Sequence, residues 1–273
     1  MFRGDTKRVN DVNTMIEILR EKKETDSLIE GYNQIFKSNG IRHRESFYLW
    51  ILEIVEKYCN KNITRLLDLA CGEGFLVSIA RSKGINAVGL DISMCALRNS
   101  SSKSYLLLGD GERLPFGDGT FEVVTCIGSL EHFVNPLAGA KEIYRVLDPK
   151  GVSCILLPNT YSLFGNVLFA ARTGDVFDDG QPIQRYNTAR GWQRLLSQAG
   201  LIVRSTIKYE LFPPKTLRDV WWYVVHPKKL LRRLLTPLIP LYLANCFVYL
   251  CEKDVRTGGQ YADLRIDARR PAR

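Results

Sequence analysis

Apolar residues at Phe47, Trp50, Ile51, Ile54 and Val55 recur at the spacing of one helical face, which predicts a helix over 46–58. Beyond it the pattern alternates between short apolar runs and amphipathic stretches. Strands are predicted at 65–70, 86–90, 105–108, 121–127 and 152–157, with helices at 74–82, 93–99 and 135–147 between them. Asn135-Pro136 opens the last helix as cap and first-turn proline, and Asp148-Pro149-Lys150-Gly151 stops it. Thr188 caps a further helix with its face at Trp192, Leu195, Leu196 and Ala199, ended by Gly200. Strands at 201–211 and 245–251 complete the series. Such alternation predicts an α/β fold, a mostly parallel sheet with helices on both faces. Residues 1–27 show no sustained apolar period and read as a loose or partly helical arm. The tail after Asp254 mixes charge with glycine and proline and reads as mobile.

Composition narrows the classes. The 273 residues are 45% apolar and 25% charged, the balance of one globular domain with appendages. The opening MFRGDTKRVND has no apolar stretch able to act as a secretory signal. Seven cysteines form no C-x-x-C pair, and three histidines stand far apart, so free thiols in a cytoplasmic protein without a metal site are expected. The net charge of +9 invites an anionic partner, and it is uneven. Between 207 and 243, Lys208, Lys215, Arg218, Lys228, Lys229, Arg232 and Arg233 face only Glu210 and Asp219.

The most informative stretch is LLDLACGEGFL, residues 66–76: strand, glycine turn, helix. Gly72 and Gly74 allow a ligand to approach the backbone at the carboxyl end of the strand. Asp91 ends the next strand, where a carboxylate can accept both hydroxyls of a ribose, and Asp110 ends the third. A dinucleotide site would want a third glycine where Val77 stands. Asp68 would repel a pyrophosphate but suits a cationic ligand, which favours S-adenosylmethionine (SAM) over a nicotinamide dinucleotide.

With these residues in order, the chain resembles the class I SAM-dependent methyltransferases of small molecules. That family shares D-x-A-C-G-x-G, an acid after the second strand, G-D-A-E-x-L-P-F and an L-E-H turn after the fourth. Here these read DLACGEG, LDIS, GDGERLPF and SLEHF, followed by YRVLDPKG, and the likeness spans roughly 45–255. Gly111 stands in place of the commoner alanine. The resemblance implies a Rossmann-like sheet with an antiparallel last strand. It implies that Asp68 and the backbone of Ala70, Cys71, Gly72 and Gly74 hold the methionine part of SAM. Asp91 would take the ribose hydroxyls, Ile92 and Ser93 would flank the adenine, and Asp110 with the amides of Gly111 and Glu112 would read its edge. Ile127 and Ser129 would line the pocket near the methyl. Because SAM brings the activated methyl, the protein must align an acceptor and take its proton. His132 is the first candidate base, for its pKa near neutrality, and Glu131 the second. The Asn/Asp-Pro-Pro-Tyr signature of amino-methylating enzymes is absent, since Thr125-Cys126-Ile127-Gly128-Ser129 stands there. An oxygen acceptor is therefore expected before nitrogen, on a small molecule, glycan or lipid-linked compound.

Residues 1–60 are thus expected to form an arm and helical cap, 61–255 the catalytic domain, and 256–273 a tail. Two inserts, 160–187 and 212–243, leave the carboxyl ends of strands and are expected to cover the acceptor as lids. Arg172 and Arg185 in the first are candidates for holding an acidic group of the acceptor. Leu234–Cys251 is uncharged for 18 residues, but Pro237 and Pro240 interrupt it and a strand follows, which argues against a membrane span. Two readings of the basic second insert stay open: a lid resting on an anionic membrane at its inner face, or a solvated positive face over a packed helix. RNA methylation rests on net charge alone, and leucines rather than interleaved aromatics flank the basic cluster. A non-catalytic module binding lipid or a partner sits poorly with intact Asp68, Gly72, Gly74, Asp91 and Asp110.

Overall fold

Leu66 and Leu67 are adjacent in the chain, yet each is fully buried on an opposite side of a sheet. Val123 and Val124, and Cys154 and Ile155, divide in the same way, as the two-residue period of a strand requires when both faces are covered. The computed structural model describes residues 15–38, 40–41, 43–60, 62–100 and 103–254. In chain order the elements are β1 (Ile16–Leu19), α1 (Thr25–Ser38), α2 (Glu45–Cys59), β2 (Arg65–Leu69), α3 (Phe75–Ser82), β3 (Asn86–Asp91), α4 (Met94–Asn99) and β4 (Leu106–Leu108). β5 (Phe121–Ile127), α5 (Pro136–Val146), β6 (Leu147–Pro158), α6 (Leu168–Thr173), β7 (Ile183–Tyr186) and α7 (Ala189–Gln198) follow. The chain closes with β8 (Leu201–Tyr209), α8 (Leu217–Val225), α9 (Pro227–Leu235) and β9 (Cys246–Lys253).

Seven strands form the main sheet in the order β4-β3-β2-β5-β6-β9-β8. All are parallel except β9, which runs antiparallel to both neighbours. α5 and α7 cover one face; α2 and α3 cover the other. The strand order reverses between β2 and β5, and ligands of open α/β sheets bind outside the carboxyl ends of strands at such a point. The expected caps are formed: Ser93, Asn135 and Thr188 each accept a first-turn amide of the helix that follows.

Three expectations change. Residues 15–27 are not a loose arm, because β1 pairs antiparallel with β7, Ile16 opposite Tyr186 and Leu19 opposite Ile183, and leads directly into α1. The insert 160–187 is not a simple lid, since it holds α6 and the strand partner of β1. The uncharged run 234–251 breaks into short turns before β9, and no helix among the described residues is long and apolar enough to cross a membrane. Residues 1–14 and the tail 256–273 lie outside the described residues.

Candidate active site

Immediately after β2 the backbone takes a left-handed course at Ala70 (φ 55°) and again at Gly72 (φ 55°). Glycine adopts this freely, whereas alanine does so only when its surroundings impose it, and such strain gathers at ligand sites. What imposes it is the neighbouring strand end. Asp91 accepts the Gly72 amide at 2.7 Å with one carboxylate oxygen and the Ser93 amide at 2.8 Å with the other. The glycine loop is thereby tied to the carboxyl end of β3. Phe36 of α1 lies above, 3.4 Å from where a Gly72 side chain would begin.

Asp68 sits one strand away, buried, opposite Thr125 in the β2–β5 register, and accepts the Thr125 hydroxyl at 2.7 Å. Burial pushes its carboxyl up to about 7, against the pull of the Thr125 hydrogen bond. Burial raises Asp91 too, although the amides of Ser93 and Gly72 hold it back. After β4, Asp110 accepts the Glu112 amide at 2.9 Å, while the Glu112 carboxylate turns to the Asn135 amide at 2.8 Å. A side chain at Gly111 would meet the tip of the Phe133 ring at 2.5 Å, so that ring would have to shift to admit one.

These groups share one cavity of about 140 Å³, open to solvent on one side. Asp68, Ala70, Cys71 and Gly72 line it from the first turn, Asp91 and Ile92 from the second, and Asp110, Gly111 and Glu112 from the third. Ile127, Ser129 and His132 line it after β5. Gly74, Ser93 and Glu131 are not on its wall. Gly74 caps α3, Ser93 is buried as the cap of α4, and Glu131 is buried behind His132.

His132 is buried with Nδ1 on the main-chain oxygen of Ile183. A carbonyl only accepts, so the proton resides on Nδ1 and Nε2 keeps a lone pair. Burial lowers the imidazole pKa, opposed in part by that hydrogen bond. The Tyr32 ring stands edge-on to it at 6.3 Å between centroids. Glu131 has its carboxyl pushed up to about 8 by burial and is neutral at pH 7. Its side chain lies off the cavity wall, beside the His132 ring. Arg185 is not available to an acceptor. Only 1% exposed, it donates to the carbonyls of Glu131 (2.8 Å), Phe133 (2.5 Å) and Val134 (3.2 Å) and pairs with Glu17 at 2.5 Å. Arg172 is exposed on α6 and does not line the cavity.

The cover of the cavity differs from expectation. No residue of 212–243 lines it, and Gln181 alone does so from the first insert. Leu28, Tyr32 and Phe36 of α1, with Ile41, His43 and Tyr48 ahead of and in α2, close it instead. Their i, i+4, i+8 spacing on α1 was a readable signal. α1 is fastened to α4, where Asn33 accepts from the Ser93 hydroxyl (2.8 Å) and the Cys95 amide (3.1 Å). α8 acts from outside: its buried Asp219 accepts Arg44 at 3.1 Å and the Ser46 hydroxyl, bracing the segment that carries His43.

Residues 67–155 match the family model described as a methyltransferase domain. A protein of Methanocaldococcus jannaschii is 35% identical over 116 residues, 42% of this chain and 50% of that one. Demethylmenaquinone methyltransferase of Corynebacterium kroppenstedtii is 36% identical over 88 residues, 32% of this chain and 38% of that one. The chain thus spans half or less of the length of these relatives. The crystal structure of a SAM-dependent methyltransferase from Clostridium acetobutylicum superposes with a TM-score of 0.54, covering 81% of this chain and 96% of that one at 15% identity, a likeness of fold. Residues 67–155 thus match a methyltransferase domain, within a fold shared with a SAM-dependent methyltransferase. The cavity fits the cofactor of such an enzyme. Among the described residues no cation pairs with the buried Asp68 carboxyl, the Gly72 turn lines the cavity, and Asp91 lines it with a carboxylate able to accept from a diol.

Proposed function

We propose that the protein transfers the methyl group of SAM to a hydroxyl oxygen of a small, apolar or lipid-linked acceptor, with His132 as general base. One observation carries the reading: an imidazole whose Nδ1 is committed to the Ile183 carbonyl lines the same cavity as Asp68 and Asp91. When bound, SAM supplies a methyl already activated on a cationic sulfur. Asp68 would answer the positive charge, the Gly72 turn would carry the amino-acid portion, and Asp91 and Asp110 would hold the nucleoside. His132 Nε2 would take the proton of the acceptor hydroxyl as the new carbon–oxygen bond forms, and α1 would keep water away with Tyr32 and Phe36. Tyr32, Phe36, Ile41, Tyr48 and Phe133 make the remaining wall aromatic and aliphatic, which favours an apolar acceptor over a glycan. The relative named for demethylmenaquinone points the same way.

Incubation with methyl-deuterated SAM and a lipid extract of the source cells, read by mass spectrometry, tests this. A labelled O-methyl product that His132→Ala fails to make is expected. Label on carbon or nitrogen would overturn the oxygen assignment, and an unlabelled extract would overturn the acceptor class.

A further inference from the structure

On α8 the exposed apolar residues are Leu217, Val220, Trp221, Val224 and Val225, the first four an i, i+3, i+4, i+7 stripe. Helices at a protein surface normally turn this stripe inward, and here the inward side is held by Asp219 and Tyr223. The outward stripe continues through Leu231 and Leu234 of α9 to Leu238. Leu217 is 88% exposed, Trp221 67% and Leu238 77%, so these side chains are largely uncovered by the described residues. An apolar expanse of this kind marks a surface that meets another phase or molecule.

Charge decides which. Both acids of the region are consumed inside the protein. Asp219 holds Arg44 and Ser46, and Glu210 holds Arg232 at 2.8 Å and the Asn245 amide at 2.7 Å. Arg218, Lys228 and Lys229 are exposed beside the leucines, and Arg233 is half-buried. Among the described residues of 212–243 the exposed charges left are cations, beside the apolar stripe. A second copy docked on it would oppose like charges across a two-fold axis, and lysine is depleted in protein interfaces. An anionic bilayer takes both components at once, leucines and tryptophan entering the headgroup boundary while the cations meet phosphate. The strand polarities put this surface at the cavity's end of the sheet. β8 ends and β9 begins beside the carboxyl end of β6, which is parallel to β5 and β2.

We propose that α8 and α9 dock the protein on an anionic lipid surface, independently of whether methyl transfer follows. The test is sedimentation of the full chain with vesicles of phosphatidylcholine mixed with phosphatidylglycerol, against pure phosphatidylcholine. The wild type is expected to bind the mixed vesicles and to release them as salt rises. The triple variant Arg218→Gln, Lys228→Gln, Lys229→Gln is expected to bind roughly a hundredfold more weakly, about fivefold for each charge. Trp221→Ala with Leu234→Ser should also lose binding. All five positions are exposed, so an unchanged thermal unfolding midpoint should accompany each loss. Absence of wild-type binding to the mixed vesicles at low salt would overturn the proposal. So would equal, salt-independent binding to both vesicle types, or a dimer by light scattering that the apolar substitutions dissociate.

Discussion

Arg185 donates to the main-chain oxygen of Glu131 at 2.8 Å and so fixes the turn that carries His132 into the cavity. The same guanidinium pairs with Glu17 at 2.5 Å, so the one side chain joins β1, β7 and the turn after β5. A planar fork with five donors can serve three carbonyls and a carboxylate together; an ammonium cannot. Arg185→Ala should therefore destabilise the protein by about 3–5 kcal/mol in urea unfolding, by stranding buried acceptors. Arg185→Lys should recover less than half of that loss. Equal stability of the three proteins would show that the clamp is incidental.

The pH dependence of turnover should report His132. A base must be unprotonated, and burial lowers this imidazole below its usual 6.5. Activity should hold through neutral pH and fall only below 6.5, and His132→Ala should lower kcat by ~10²–10⁴-fold with SAM affinity nearly intact. Substantial activity in the alanine variant, with the same pH profile, would assign His132 to packing.

Asp68 should make cofactor binding proton-linked. Its carboxyl, raised to about 7, is partly protonated in the ligand-free protein at pH 7. A cationic ligand favours the carboxylate, so binding at pH 7 should release up to about half a proton and affinity should rise as pH increases through 7. The ligand-free protein should lose stability as pH rises from about 4 to about 7 and level off above, because the unfolded carboxyl ionises near 3.8 and the folded one near 7. Calorimetry in two buffers of different ionisation enthalpy measures the proton count. Asp68→Asn should abolish the release and weaken binding.

The cover formed by α1 should loosen when Asn33 is shortened. Asn33→Ala removes one acceptor shared by Ser93 and Cys95, a loss of about 1–2 kcal/mol confined to the docking of α1. Faster hydrogen exchange is expected across residues 25–38, slowed again by SAM. Exchange unchanged there would mean that other contacts hold the helix.

The core of the site was readable because its signals are local. A strand, a glycine turn and an acid at the end of the next strand fall within 66–91, and their spacing alone brings Asp68, Gly72 and Asp91 to one end of the sheet. The pairing of β1 with β7 joins residues more than 160 positions apart, and four-residue strands leave almost no periodicity to read. Residue type alone offers Arg185 to an acidic group of the acceptor and says nothing of the three carbonyls it meets. The second insert was placed over the cavity from its point of departure; its helices instead pack against α2 through Asp219 and turn their leucines outward.

Titration calorimetry of SAM into the wild type and into Asp91→Ala tests the central claim most directly. One saturable site is expected in the wild type, weakened roughly 30- to 150-fold by the substitution, the equivalent of ~2–3 kcal/mol for a buried charged hydrogen-bond pair. Absence of binding in the wild type, or equal affinity in the two proteins, would contradict the assignment of this cavity to the cofactor.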